Sequence, residues 1–156
     1  MKRLIFLMSI VALLFTTSCM RGPVVGGKSS TEYTGKLVVT DITTGEVTYT
    51  DNEAKVTLAI PNVTEPKMDI VFNGVKFAEL MPIKLNLAML GIPFTTTVSE
   101  DGASINYIFD KENIIPDSFD EQYLINRLWG SVGSRIEISF TMINAKRNSK
   151  VTFTLE

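Results

Sequence analysis

Residues 136–142 read IEISFTM and residues 151–155 read VTFTL, two stretches in which apolar and polar side chains alternate without a break. Successive side chains of a β-strand point to opposite faces of the sheet, so a period of two predicts a strand with one face on a core. The side chains expected to face that core are Ile136, Ile138, Phe140, Met142, Val151, Phe153 and Leu155. The C-terminal part of the chain is therefore predicted to form two half-buried strands.

The same period recurs along the chain after Tyr33. The segments that carry it are residues 36–40, 47–50, 55–60, 68–72, 83–89, 94–98 and 105–109. Turn-forming pairs such as Thr44-Gly45, Asn73-Gly74 and Asp101-Gly102 separate them. About eight strands joined mostly by short turns predict an all-β, antiparallel, up-and-down meander. Closure into a barrel would bury its edges, and a two-sheet sandwich is the alternative.

One segment departs from the alternation. Residues 116–121 read PDSFDE, and Ser118 stands three residues before Glu121, which is the spacing of a helix capping box. The apolar residues at helical spacing are Phe119, Tyr123, Leu124, Leu128 and Trp129. The pattern predicts a helix of about three turns that ends near Gly130 and packs its apolar stripe on the sheet or over one end of the barrel.

The N-terminus has the layout of a bacterial lipoprotein signal peptide. Lys2 and Arg3 precede an apolar run, and Ser18 precedes Cys19, the only cysteine. The run is shorter than the roughly 20 apolar residues that span a bilayer. Residues 1–18 are therefore predicted to be a cleaved signal and Cys19 to be lipidated, with palmitate among its acyl chains. A plain secretory signal is the alternative.

Residues 19–32 would form the lipidated cysteine and a flexible tether, and residues 33–156 the folded domain. As a flexible coil the tether would extend on the order of 20 Å, enough to hold the domain clear of lipid headgroups. No acidic cluster follows Cys19, such as some surface-exported lipoproteins carry. We therefore expect attachment to the outer membrane on the side that faces the periplasm.

Charge and composition exclude several functions. Removal of Lys2 and Arg3 with the signal leaves 13 of the 15 basic side chains against 17 acidic ones, a net charge of −4. Such a chain lacks the basic stripe that nucleic acid requires, so no nucleic-acid partner is expected. Without histidine, and with Cys19 lipidated, the histidine-dependent nucleophile systems and the usual zinc sites are excluded.

The carboxylates form the remaining chemical candidates. Three groups of carboxylates could supply a calcium site or glycosidase acids. They are Glu100-Asp101, Asp110 with Glu112, and the acidic residues of 117–121. A hairpin turn and a helix N-terminus explain the first and the last of these groups more simply. The sequence therefore predicts no catalytic residue, no metal site and no cofactor.

The inner face of the predicted barrel carries the candidate ligand-binding residues. An eight-stranded barrel is wide enough either to be filled by side chains or to hold one small ligand, so its inner aromatic and methionine residues are packed core or pocket lining. Those on the inner face are Tyr33, Tyr49, Met89, Phe94, Tyr107 and Met142, and Trp129 on the predicted helix could cover the barrel mouth or join helix to sheet.

Several stretches resemble one family of proteins. The stretches that carry the resemblance are the Ser18-Cys19 site, the strand at residues 33–37, the strand at residues 55–58, and residues 69–77 running into Met81-Pro82. Through them the chain resembles the lipocalin-like (calycin-like) β-barrel lipoproteins of Bacteroides and relatives. The resemblance implies a barrel over residues 33–156 and a lipid-anchored protein. The Gly-x-Trp of true lipocalins is missing, since Gly35 is followed by Lys36 and Leu37.

Two functions are compatible with this sequence. The first is a membrane-anchored lipoprotein that binds a small apolar ligand inside the barrel and performs no chemistry. The second is an interaction module whose filled barrel docks on another protein of the cell envelope. A cavity of about 300 Å³ or more would favour the first function, and a solid core would favour the second.

Overall fold

A computed structural model describes residues 29–60, 64–99, 102–117, 124–143 and 148–155. These residues form nine strands: β1 (Ser29–Asp41), β2 (Val47–Ile60), β3 (Lys67–Val75), β4 (Leu85–Pro93), β5 (Thr95–Val98), β6 (Ile105–Ile114), β7 (Leu124–Val132), β8 (Ile136–Ile143) and β9 (Asn148–Leu155). The predicted signal peptide, Cys19 and most of the predicted tether lie outside the described residues. Strand β1 begins at Ser29, four residues before the expected start of the domain at Tyr33.

All nine strands belong to one sheet with the order β4-β3-β2-β1-β9-β8-β7-β6-β5. Every neighbouring pair is antiparallel, and β1 pairs with both β2 and β9. The order follows the meander, except that the C-terminal strand closes against β1. The prediction of an all-β, antiparallel fold is confirmed.

The two ends of the sheet nearly meet, which makes it barrel-like. Only Phe94 separates β4 from β5, so one stretch of chain pairs first with β3 and then with β6. The pairing of β4 with β3 ends at Pro93, which has no N–H for a ladder hydrogen bond. Across the seam, the Asp117 N–H donates to the Ala88 carbonyl at 3.0 Å. The structure has nine strands where about eight were expected, because β7 was not predicted as a strand, whereas the predicted segments 47–50 and 55–60 both belong to β2.

Strand β7 occupies part of the segment for which a helix was predicted. Residues 124–132 pair with β6 and β8, while the capping-box residues 118–123 lie outside the described residues. Strand β7 bulges at a register shift between Ile125 and Arg127, and the extra residue places Ile125 and Leu128 on the same buried face. The bulge interrupts the period of two, so this segment does not show the alternation of a strand. Of the described members of the predicted helical stripe, Leu124, Leu128 and Trp129, only Leu128 is buried.

The barrel has two ends, which we name by the position of the first strand. The near end holds the start of β1, the end of β9 and the β2–β3, β5–β6 and β7–β8 connections. The far end holds the β1–β2, β3–β4, β6–β7 and β8–β9 connections. A lipid attached before residue 29 would therefore reach the domain at its near end.

Three phenylalanine rings meet inside the barrel. Phe72 of β3 lies edge-on to Phe140 of β8, with ring centroids 5.4 Å apart, and edge-on to Phe153 of β9 at 6.1 Å. All three side chains are fully buried. Since β3 is separated from β8 and β9 by other strands in the sheet, these contacts cross the interior. Side chains therefore fill the barrel at this level.

Four apolar residues of the alternating segments are exposed, although the period placed them on the inner face. Ile83 lies in the β3–β4 loop, and Val47 lies beside the β1–β2 turn. Val98 and Ile105 pair in the β5–β6 hairpin, beyond the point where β3 ends its pairing at Lys67. Among the described strands, β3 does not extend to the level of this pair. The alternation thus predicted strands in these parts of the chain but not which of their end residues are buried.

Candidate functional site

The residues predicted to line a ligand pocket do not form one group. Met89, Tyr107 and Met142 are buried in the interior, and Tyr33, Tyr49 and Phe94 are partly buried against the same core. Tyr49 and Met142 lie toward the far end, whereas Tyr33, Phe94 and Tyr107 lie toward the near end. Among these six, one ring contact joins two of them: Phe94 lies edge-on to Tyr107 at 5.2 Å.

Two of the candidate tyrosines, Tyr107 and Tyr49, have pKa values raised above the ordinary value of a phenol. Burial raises the pKa of the Tyr107 phenol. Burial also raises the pKa of Tyr49, and the negative charges of Asp51 and Glu79 raise it further. Glu79 lies in the β3–β4 loop, at the same end of the barrel as Tyr49. Neither hydroxyl is prepared to act as a phenolate base.

The β3–β4 loop covers the far end of the interior. Phe77, two residues beyond β3, is buried, and its ring lies edge-on to Phe140 at 6.0 Å. The loop is held by hydrogen bonds from the Met81 N–H to the Ala78 carbonyl at 3.2 Å and from the Phe77 N–H to the Met81 sulfur at 3.4 Å. The far end is therefore closed over Phe140 by an aromatic side chain.

Trp129 lies on the outer face of the sheet, and not on a helix. The Arg127 guanidinium carbon lies 5.4 Å from the centre of its ring, and the Lys150 ammonium nitrogen lies 5.5 Å from it. Cations near an indole face are attracted by the ring quadrupole. Ser139, which pairs with Trp129 across β7 and β8, is buried although it is on the outer face. The indole thus covers part of the sheet surface.

Trp129, Arg127 and Lys150 form a cluster with Asp110 on the outer face of the sheet, which we call the outer cluster. Arg127 donates from Nε to Oδ1 of Asp110 at 3.0 Å and from Nη2 to Oδ2 at 2.6 Å. This two-point geometry fixes the guanidinium beside the indole. Sequence reasoning missed the cluster because it placed Trp129 on a helix. The signal that could have found it was the alternation of Arg127 and Trp129, which indicates one face of a strand.

We expect that replacing Arg127 by glutamine raises the pKa of Asp110. Hydrogen bonds from Arg127 now hold the pKa of this carboxyl below its ordinary value, since they favour the charged form. A carboxyl with a lowered folded-state pKa adds stability above its unfolded-state pKa and loses that contribution as the pH falls through the folded-state pKa. The contribution is small because the pair is exposed. NMR titration of the Asp110 carboxyl measures the shift.

Arg135→Gln is the control for that titration, because Arg135 is an exposed arginine beside β8 that is not paired with Asp110. The Asp110 pKa should stay unchanged in this variant. An equal rise in both variants would show that overall charge, and not the Arg127 contact, sets the pKa.

The described residues contain no cluster of three or more histidine, cysteine, aspartate or glutamate side chains that could hold a metal ion. Asp110 is occupied by Arg127, while Glu112 and Asp117 are exposed. The carboxylates Glu100, Asp101, Asp120 and Glu121 lie outside the described residues. Within the part of the chain that the structure describes, no helix is both long and apolar enough to cross a membrane.

These features define the class of the protein at the level of its fold: an all-β, antiparallel, nearly closed barrel with an aromatic core. No family model matches the chain, and no characterised protein or solved structure matches it significantly.

Proposed function

We propose that this chain is a lipid-anchored lipoprotein of the bacterial cell envelope, whose filled barrel acts without catalysis as a protein–protein interaction module. The observation that carries the proposal is the contact of Phe72 with Phe140 and Phe153 across the interior. Rings in van der Waals contact leave no space for a ligand between them. A barrel filled by side chains at this level supports a function carried by its surface.

The proposed anchor is the acylated Cys19, and the proposed location is the outer membrane, facing the periplasm. About ten residues separate Cys19 from Ser29 at the start of β1. A flexible segment of this length extends roughly 17 Å. The near end would therefore face the lipid surface, and the far end would point away from it. The resemblance to the lipocalin-like lipoproteins of Bacteroides and relatives supports the lipid anchor.

Replacing Cys19 by alanine is expected to move the protein from the membrane fraction to the soluble fraction and to abolish incorporation of a labelled palmitate analogue. Acylation contributes about 0.8 kcal/mol for each buried CH₂ group, so two or more chains hold a protein on the membrane stably. Cell fractionation with immunoblotting measures the distribution. Lys28→Ala, a substitution in the same tether, should keep both the label and the membrane association. Membrane association of the Cys19 variant would contradict the lipid anchor.

Binding of a small apolar ligand is the second candidate, and one observation favours it. Phe94 is only partly buried where it meets Tyr107, and Tyr33 is partly buried in the same half of the barrel. A shallow apolar site at the near end could use these rings. Native mass spectrometry of the mature protein, extracted from envelopes, distinguishes the candidates. A bound mass that disappears in the Phe94→Ala variant would favour a carrier, and the mass of the lipidated chain alone is expected for an interaction module.

A further inference from the structure

The far end of the barrel exposes an unusual share of apolar side chains. Ten large hydrophobic residues are exposed among the described residues, and six of them lie at this end: Ile42, Val47, Leu80, Ile83, Ile115 and Ile143. The most exposed is Leu80, of which 94% is accessible to solvent. Single exposed apolar residues are common, but several around one end of a domain indicate an interaction surface.

Contacts between the far-end connections place these residues around one surface. The Ile42 N–H donates to the Asn148 carbonyl at 3.0 Å, and Asn148 pairs with Ile143. Asp117, two residues after Ile115, is bonded to Ala88 of β4. Phe77, in the same loop as Leu80, lies edge-on to Phe140, three residues before Ile143 in β8. The exposed apolar residues therefore lie on connections that meet at the far end.

The conformation of the β3–β4 loop explains why Leu80 and Ile83 are exposed. Phe77 packs inward on Phe140, and the Met81 N–H closes a turn on the Ala78 carbonyl. The turn that directs Phe77 into the core therefore carries Leu80 outward. Burial of Leu80 would need a partner outside this domain, because the interior below the loop is already occupied by Phe77 and Phe140.

The charges at the far end favour a partner with a positively charged surface. Its described connections and the adjoining strand ends carry the acidic residues Asp41, Glu46, Glu79 and Asp117 against the basic residues Lys76 and Lys84. The acidic excess of these described residues disfavours a second copy docked through the same end. It also repels anionic lipid headgroups, which the anchor would in any case place at the near end.

We infer that the far end is the docking surface for a partner protein that presents apolar side chains bordered by basic ones. Leu80 and Ile83 enter the apolar part of the contact, and Glu79 and Asp117 meet the basic border. This arrangement matches the general anatomy of protein interfaces, an apolar centre with a polar rim. The inference rests on the proposed interaction function and identifies the surface that performs it.

Photo-crosslinking in intact cells tests the inference with the full-length, membrane-anchored protein. A photoreactive amino acid is placed at Leu80 or Ile83 and, for comparison, at Val98 or Ile105 near the other end. Ile83 and Val98 are matched in exposure, at 62% and 65%. We expect a discrete protein adduct from the first two positions only, joined through a segment rich in lysine or arginine. Glu79→Lys combined with Asp117→Lys should reduce its yield at least fivefold.

The captured protein is then purified and titrated against the full-length chain in detergent micelles. Leu80→Ser with Ile83→Ser should weaken binding at least tenfold, whereas Val98→Ser with Ile105→Ser should change it less than twofold. Rising salt should slow association, because the charged border guides the encounter. A binding loss confined to the Val98 and Ile105 variants would overturn the inference.

The crosslinking outcomes also separate this inference from the proposed function. Protein adducts at Val98 or Ile105 alone would leave the interaction function standing and reject the far end as its surface. Adducts to lipid, or to a second copy of the chain, at Leu80 and Ile83 would likewise reject a basic protein partner. The absence of adducts at all four positions would reject both proposals.

Discussion

Replacing Phe140 by alanine is expected to lower the free energy of unfolding by about 3–5 kcal/mol, the cost of truncating a buried phenylalanine. Phe140 is fully buried and contacts two rings, Phe72 at 5.4 Å and Phe77 at 6.0 Å. Its removal leaves a cavity between β3 and β8 and uncovers the underside of the β3–β4 loop. Urea denaturation followed by the fluorescence of Trp129, the only tryptophan, measures the loss.

Two variants make this result interpretable. Phe140→Leu keeps most of the volume and should cost less than about 1.5 kcal/mol, which provides a folded reference if the alanine variant does not fold. Phe94→Ala removes a partly buried ring with one aromatic contact and should cost less than Phe140→Ala. If the interior were a ligand cavity, Phe140→Ala would be tolerated as well as Phe94→Ala. Equal losses would therefore contradict the filled barrel on which the interaction function rests.

The strands could be predicted because their pattern is local. Residues 136–142 alternate strictly, and Ile136, Ile138, Phe140 and Met142 are all buried in β8. The antiparallel meander followed from short turns between such segments. The pairing of β1 with β9 could not be deduced in this way, because closure of a sheet depends on its twist and stagger.

The error at residues 124–132 has a specific physical cause. A bulge between Ile125 and Arg127 interrupts the period of two, so the segment lacks the alternation that identifies a strand in a sequence. Trp129 was consequently expected on a helix, and the outer cluster around it was missed. The ring contacts across the interior also required the structure, because Phe72 and Phe140 are far apart in sequence and meet only across the barrel.

Gly130 was expected to end a helix, whereas it lies within β7 between Phe109 and Ile138. A Cβ atom built there would overlap the backbone carbonyl oxygen of Glu137 and would lie 3.0 Å from Cζ of Phe109. Glycine in a strand often marks such a close approach of another group. The ring of Phe109 and the backbone of β8 therefore use the space that any other side chain would need.

Gly130→Ala is accordingly expected to lower the free energy of unfolding by about 3 kcal/mol or more, at the upper end of the cost of overpacking. The overlap is with the backbone of a central strand, which cannot rotate away as a side chain does. Gly91→Ala is the control, because Gly91 has a φ of +62° but an added Cβ atom there would meet nothing within 4 Å. Its cost should be about 1–2 kcal/mol, the penalty for the left-handed backbone alone.

A double variant separates the two sources of overlap at Gly130. Phe109→Leu removes the ring that a methyl group would contact but leaves the carbonyl oxygen of Glu137 in place. If the backbone overlap dominates, adding Phe109→Leu to Gly130→Ala should not restore stability in urea denaturation. Restoration would show instead that β7 and β8 can separate slightly at this point. In that case the tight pairing that keeps Trp129 over Ser139 would be set by the Phe109 ring and not by the two strands.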